Sequence, residues 1–351
     1  MKWAEVTSLT MVAGVLVAAA TAWVWYLLRL PSRKPLLDYS ERRPVPWGMI
    51  DIAAVVVIAI AVQVTGFGIW QQFGGSPQSI ETGDASVMVA FSITSLITWG
   101  LGLAFVCWRT GASLADFGCS RPIDLDIRQG VIAFCLLLIP VFGVQLMLAK
   151  LWQESQHPLI DMLKEKPDSL TFLSSAFAAV LVAPLVEEFF FRVVVQGWLE
   201  NIACLLRQKQ SPQIVSPQLA NTVFVGTWAH QQPTVPSAAE SHSTDGDIDG
   251  EVGNPYYASH VAANADEMEP VEQATTLDDL EMRPAVWPIL VSAALFALAH
   301  FGNGPDPIPL FILALGLGYL YQQTHRVWPC IVVHMLLNGL SMAQLWLYTQ
   351  S

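Results

Sequence analysis

The chain has 351 residues, 53% of them hydrophobic and only 13% charged, against about 25% charged in an ordinary soluble protein. Its five cysteines are scattered without a CxxC pair, which argues against a disulfide framework or a thiolate metal site. The formal net charge of −12 is local: residues 211–282 hold twelve acidic residues and no Lys or Arg, and the remainder balances 17 basic against 17 acidic residues, so no nucleic-acid partner is expected.

Apolar runs of about twenty residues recur along the chain and predict an all-α, polytopic transmembrane bundle. Eight spans are read, at about 8–30, 49–70, 86–108, 130–152, 172–199, 285–301, 307–323 and 327–348. The first run is too long for a signal peptide and is followed by Arg29, Arg33 and Lys34, so it reads as an uncleaved anchor. With the first inter-span loop cytoplasmic, the inner loops and borders carry twelve basic residues and the outer side four. That bias predicts an N-out, C-out arrangement, weakest at the outer 153–171 loop. A multi-pass protein of the cell membrane is expected, with the lipid bilayer as one partner.

Three units follow: helices 1–4 (1–171), a second set of helices (172–200 and 285–348), and the acidic segment 201–284. The last is rich in Ser, Pro, Gln and acidic residues, too polar to bury a core, and is expected to be a disordered cytoplasmic insertion.

The fifth span carries charge where it is costly, in LVAPLVEEFFFRVVVQGWLE (181–200). Each charged side chain in a membrane helix costs at least about 2.5–3.5 kcal/mol. Glu188 and Arg192 are four apart and share a helix face, so they can neutralise one another as a structural brace. Glu187 points about 100° away and has no local partner. It is the free carboxylate, and a desolvated carboxylate is the better base.

Two later spans contribute polar groups. LFALAH puts Phe296 and His300 on one face, and HMLLN does the same for His334 and Asn338. From the cytoplasmic ends Glu187 lies about 18 Å deep, His300 about 22 Å and His334 about 10 Å. The three converge if the helices tilt or start deeper. A carboxylate, two imidazoles and an amide form the inventory of a water-activating hydrolase.

EEFFFR, FALAH and HMLLN resemble, in order, the EExxxR, FxxxH and HxxxN motifs of the CPBP family of intramembrane proteases. That family includes the CAAX prenyl endopeptidase and the bacteriocin-immunity (Abi) proteins. The resemblance covers residues 172–348, with the acidic insertion as its departure. It implies an endopeptidase acting on membrane-associated protein or peptide substrates. Glu187 and His300 would activate water, and His334 and Asn338 would complete the site, with Asn338 at the oxyanion. Glu188 and Arg192 would hold the geometry, and Phe296 would pack beside it. A zinc or other divalent ion on Glu187, His300 and His334 is one alternative. A metal-free glutamate mechanism is the other, because zinc helices usually carry both His at i, i+4, whereas here each helix supplies one. An ion- or proton-coupled transporter using the same charges, or a catalytically idle scaffold, are the rival functions. His157, His230, His242, His260 and His325 receive no role. Tyr319, Tyr321 and Trp328 are expected at a membrane interface, and Gly316 and Gly318 at close helix contacts.

Overall fold

An apolar run has no side chains with which to satisfy an open backbone, so in lipid it closes its own hydrogen bonds as a helix. The computed structural model follows this rule throughout, describing residues 3–32, 36–37, 39–40, 44–76, 84–119, 123–151, 169–210, 284–301 and 306–349. Among them every regular element is helical. We label the rods α1 (Trp3–Arg29), α2 (Met49–Gln72), α3 (Ala85–Thr110), α4 (Ile123–Leu151), α5 (169–210), α6 (Trp287–Ala299), α7 (Pro307–Thr324) and α8 (Val327–Thr349).

The eight rods coincide with the eight expected spans. Six of them (α1–α5 and α8) are long and apolar enough to cross a membrane. The exceptions have simple causes. With 13 residues, α6 reaches only about 20 Å, short of the roughly 30 Å hydrocarbon core. The last turn of α7 is polar, carrying Gln322, Gln323 and Thr324. In contrast, α5 runs on to Gln210, past the expected end near residue 199. The acidic stretch 211–283 and the 152–168 loop lie outside the described residues.

Small residues set the close approaches. A Cβ at Gly130 of α4 would lie 2.6 Å from the Val332 side chain and 2.9 Å from the Pro329 carbonyl oxygen of α8. One at Gly318 of α7 would lie 2.8 Å from Ile289 of α6. Gly316 likewise admits the Leu137 side chain of α4. At Gly130 the facing helix comes in backbone to backbone, and at Gly318 and Gly316 a neighbouring side chain lies directly on the bare helix, as membrane helices pack at small residues. The helix set of 1–151 and the set carrying the charged motifs are accordingly one packed body: residues 1–208 and 284–351 form a single compact unit.

Two ion pairs, each on a fully buried carboxylate, tie helix ends together. Asp51 in the first turn of α2 accepts from the Arg109 guanidinium at the end of α3, and Asp126 in the first turn of α4 accepts from Arg326, just before α8. Arg326 thereby holds the α7–α8 junction against the start of α4.

The fifth rod is irregular where it matters. Ala178–Val182 and Phe189–Gln196 are π-helical and flank the short α-helical piece Ala183–Glu188. Carbonyls in these wide turns take side-chain donors from other elements. Asn338 Nδ2 donates to Ala179 O (2.7 Å), Trp47 Nε1 to Val194 O (3.1 Å) and Ser292 Oγ to Phe191 O (2.9 Å). Such cross-bonds are what let irregular backbone persist inside a membrane bundle. The π turns are those that often mark functional sites in helices.

Candidate active site

Glu187 and Glu188 end the α-helical piece of α5, between its two π segments. Glu188 is fully buried and makes two charge-assisted contacts. Its Oε2 accepts from Arg192 Nε at 2.9 Å, and its Oε1 lies 2.9 Å from His334 Nδ1. The brace expected within α5 is therefore also a second-helix contact, since the same carboxylate orients the histidine of α8. Arg192 continues outward, with Nη1 3.3 Å from Ser292 Oγ on α6.

Across this node stands Glu187. Its Oε2 lies 3.9 Å from His300 Nε2 and 3.9 Å from His334 Nε2. The depths expected for these three residues differ, yet the bundle closes that spread. Glu187 and His300 keep about a quarter of their side-chain surface accessible, whereas His334 keeps 4%. The site is open on the Glu187–His300 side and sealed behind His334.

The protonation pattern follows from the partners. His300 Nδ1 lies 2.9 Å from the Phe296 carbonyl oxygen, which can only accept, so Nδ1 carries the hydrogen. His334 Nδ1 faces the Glu188 carboxylate in the same way. In the neutral rings both Nε2 atoms then present lone pairs towards Glu187. Three acceptors converge with no donor among them, and Glu187 Oε2 is a buried oxygen without a hydrogen-bond partner among the described residues. A water placed between them would donate both hydrogens.

The donor set also suits a divalent ion: one carboxylate and two imidazoles, each imidazole held from behind through Nδ1 as metal-bound histidines are. The spacing is wider than such an ion draws its ligands. Bonds of about 2.1 Å in a tetrahedron separate donors by about 3.4 Å, and among the described residues no three His, Cys, Asp or Glu side chains lie close enough to hold one. The Glu187–His300 and Glu187–His334 separations each exceed that distance by about 0.5 Å.

Phe296 is the floor of the site. Fully buried, its ring contacts Phe191 (centroids 5.1 Å), His300 (4.9 Å) and His334 (5.9 Å), and Arg192 Cζ lies 5.3 Å from its centroid. Asn338 lies one turn beyond His334 and directs Nδ2 to Ala179 O. That bond uses one amide hydrogen and leaves the second available.

Some participants gave no sequence signal. Ser292, which receives Arg192, and Trp47, which holds the second π segment, are ordinary residues of an apolar helix and a Pro-rich loop. His325, given no role above, ends α7 in the left-handed region (φ 48°), with Nε2 3.4 Å from Glu200 Oε2. Tyr321 is fully buried rather than exposed at an interface, because it packs into the buried core cluster beside His325.

The model of the type II CAAX prenyl endopeptidase Rce1-like family matches residues 273–340. The match takes in Phe296, His300, His334 and Asn338 and stops short of the Glu187–Arg192 stretch. It agrees with the resemblance at FALAH and HMLLN, the two motifs it covers. No curated protein and no solved structure matches the chain.

Proposed function

We propose that this membrane-helical chain, similar over its last three helices to the CAAX endopeptidases, is an intramembrane endopeptidase that hydrolyses peptide bonds of membrane-associated proteins or peptides. One observation carries the reading: Glu187 Oε2 at 3.9 Å from two imidazole Nε2 atoms that both face it with lone pairs. A transporter relay needs alternating donors and acceptors, whereas three converging acceptors call for a molecule that donates.

That molecule is water. Glu187 takes one of its protons as general base, and the oxygen adds to the peptide carbonyl carbon. Negative charge then develops on the carbonyl oxygen, where the second amide hydrogen of Asn338 is the available donor. The proton on Glu187 passes to the leaving nitrogen as the C–N bond breaks, giving a carboxylic acid and an amine, between which the last proton then passes. Glu188 keeps the His334 ring in one tautomer, and Arg192 and Ser292 keep Glu188 in place. A divalent ion held by Glu187, His300 and His334 would supply Lewis acidity at the same point.

The test compares membrane peptidomes of cells carrying the wild-type chain or Glu187→Gln at equal membrane abundance. Cleavage products that vanish in Glu187→Gln and in His300→Ala support the proposal. Normal proteolysis by Glu187→Gln would sink it, as would substrate-dependent flux in proteoliposomes without hydrolysis.

A further inference from the structure

A groove that shares no residue with the Glu187 centre runs between α1, α4 and α7. Its volume is about 320 Å³, within the roughly 300–1,000 Å³ range of small-molecule sites, and its walls are almost wholly apolar. On α4 the wall is a ridge at four-residue spacing, Ile132, Leu136 and Pro140. Arg128 stands one turn before Ile132 on the same ridge. From Arg128 to Pro140 the ridge rises about 18 Å, close to the depth of one leaflet of a hydrocarbon core about 30 Å thick.

The other wall fixes which end is polar. Trp23 Nε1 of α1 donates to the Leu136 carbonyl (3.1 Å), which levels the two helices at that height. Arg29 lies six residues further along α1, about 9 Å, and Arg128 eight residues back along α4, about 12 Å. Leu36 and Leu37, which follow α1, line the groove together with Gln129 of α4, so both arginines stand at one mouth. The Arg29 guanidinium lies 4.2 Å from the ring centroid of Trp25, itself a lining residue. Among the described residues neither arginine has a carboxylate partner, whereas Arg109, Arg192 and Arg326 all do. On the charge bias of the loops this mouth faces the cytoplasm.

We propose that the groove holds one acyl chain of an anionic phospholipid of the cytoplasmic leaflet, with its phosphate between Arg29 and Arg128. The walls select for this occupant. A peptide strand would bring backbone N–H and C=O groups, and apolar walls leave each unpaired at a cost of several kcal/mol in hydrocarbon. A helix from a second copy, about 10–12 Å across, is too wide for a slot of this volume. An acyl chain needs no hydrogen bonds, and its headgroup meets two guanidinium groups that hold no ion pair among the described residues, Asp124 standing one turn before Arg128.

The full chain, purified in detergent and stripped of lipid, is titrated with phosphatidylglycerol and with phosphatidylcholine of the same acyl chains, and retention is read by native mass spectrometry. The wild type is expected to keep one phosphatidylglycerol, with a preference of roughly tenfold or more over phosphatidylcholine. In the surface variant Arg29→Gln/Arg128→Gln that preference falls to near parity. In Ala133→Trp, which fills the groove, both lipids are lost. Equal retention of the two lipids by the wild type would overturn the proposal. So would unchanged retention by a folded Ala133→Trp, or a dimer that Ala133→Trp dissolves.

Discussion

Glu187 and Glu188 are chain neighbours in opposite surroundings, and their amide variants should separate cleanly. Glu188 is wedged between Arg192 and His334. Glu188→Gln leaves the buried guanidinium without a counter-charge, a loss of about 3–5 kcal/mol when one partner of a buried pair is removed. It also offers His334 Nδ1 either an N–H or a weaker acceptor, so the ring loses its fixed tautomer. A large drop in thermal stability together with loss of hydrolysis is expected. Glu187 Oε2 makes no hydrogen bond among the described residues, so Glu187→Gln should abolish hydrolysis with stability changed by less than about 1 kcal/mol. Thermal unfolding in detergent beside an activity assay checks both. Equal destabilisation by the two variants would dissolve the division between reacting and orienting carboxylate. Half of this division was legible in the residues: Glu188 and Arg192 at i, i+4 announce a pair, and Glu187 is left over. That Glu188 also reaches His334 was not legible, because spacing within one helix says nothing of a contact 146 positions away.

Among the elements, the long rods were legible because an apolar run of about twenty residues leaves the backbone no choice but helix. The two π segments were not. Ala178–Val182 and Phe189–Gln196 are sequences any α-helix would accept, and their wide turns depend on donors supplied from elsewhere, Asn338, Trp47 and Ser292. Trp47→Phe keeps the ring stacked on Phe117 (centroids 5.1 Å) and deletes only the N–H given to Val194. A loss of about 1–3 kcal/mol is expected, with a lower turnover because the π turn begins one residue after Glu188. Retained stability with retained turnover would show that the turn stands without this strap. Packing at Gly130 is a second test. Gly→Ala inside a helix normally gains about 0.5–1 kcal/mol, but the new methyl would meet Val332 and the Pro329 carbonyl at 2.6–2.9 Å. The second of these is backbone and cannot turn aside. Overpacking of about 1–3 kcal/mol outweighs the gain, and α8 must shift two residues from His334. Gly130→Ala should therefore unfold at lower temperature and hydrolyse more slowly. Gly143→Ala on the same helix, with open space around it, should do neither.

For the whole molecule, the loop between α3 and α4 reports which way the bundle sits in the bilayer. Basic residues at Arg109, Arg121 and Arg128 place that loop on the cytoplasmic side by the charge rule, the side on which the Glu187 cavity is expected to open. Cys119 lies in this loop, half-buried beside the α7–α8 junction, where a Cβ on its neighbour Gly118 would come within 2.5 Å of the His325 carbonyl. Burial pushes the Cys119 thiol up, with the nearby Arg326 charge opposing it. Alkylation consumes the thiolate, and a raised pKa means a smaller thiolate fraction at any pH below it. In a chain retaining Cys119 alone, the alkylation rate should be slow near pH 8 and still be climbing where an exposed cysteine has levelled off. An impermeant maleimide should reach it in inverted vesicles and not in intact cells. Labelling from outside intact cells would reverse the whole arrangement and put the groove mouth, with Arg29 and Arg128, against the outer leaflet. Rapid labelling that levels off early would instead mean that the loop does not dock on the α7–α8 junction.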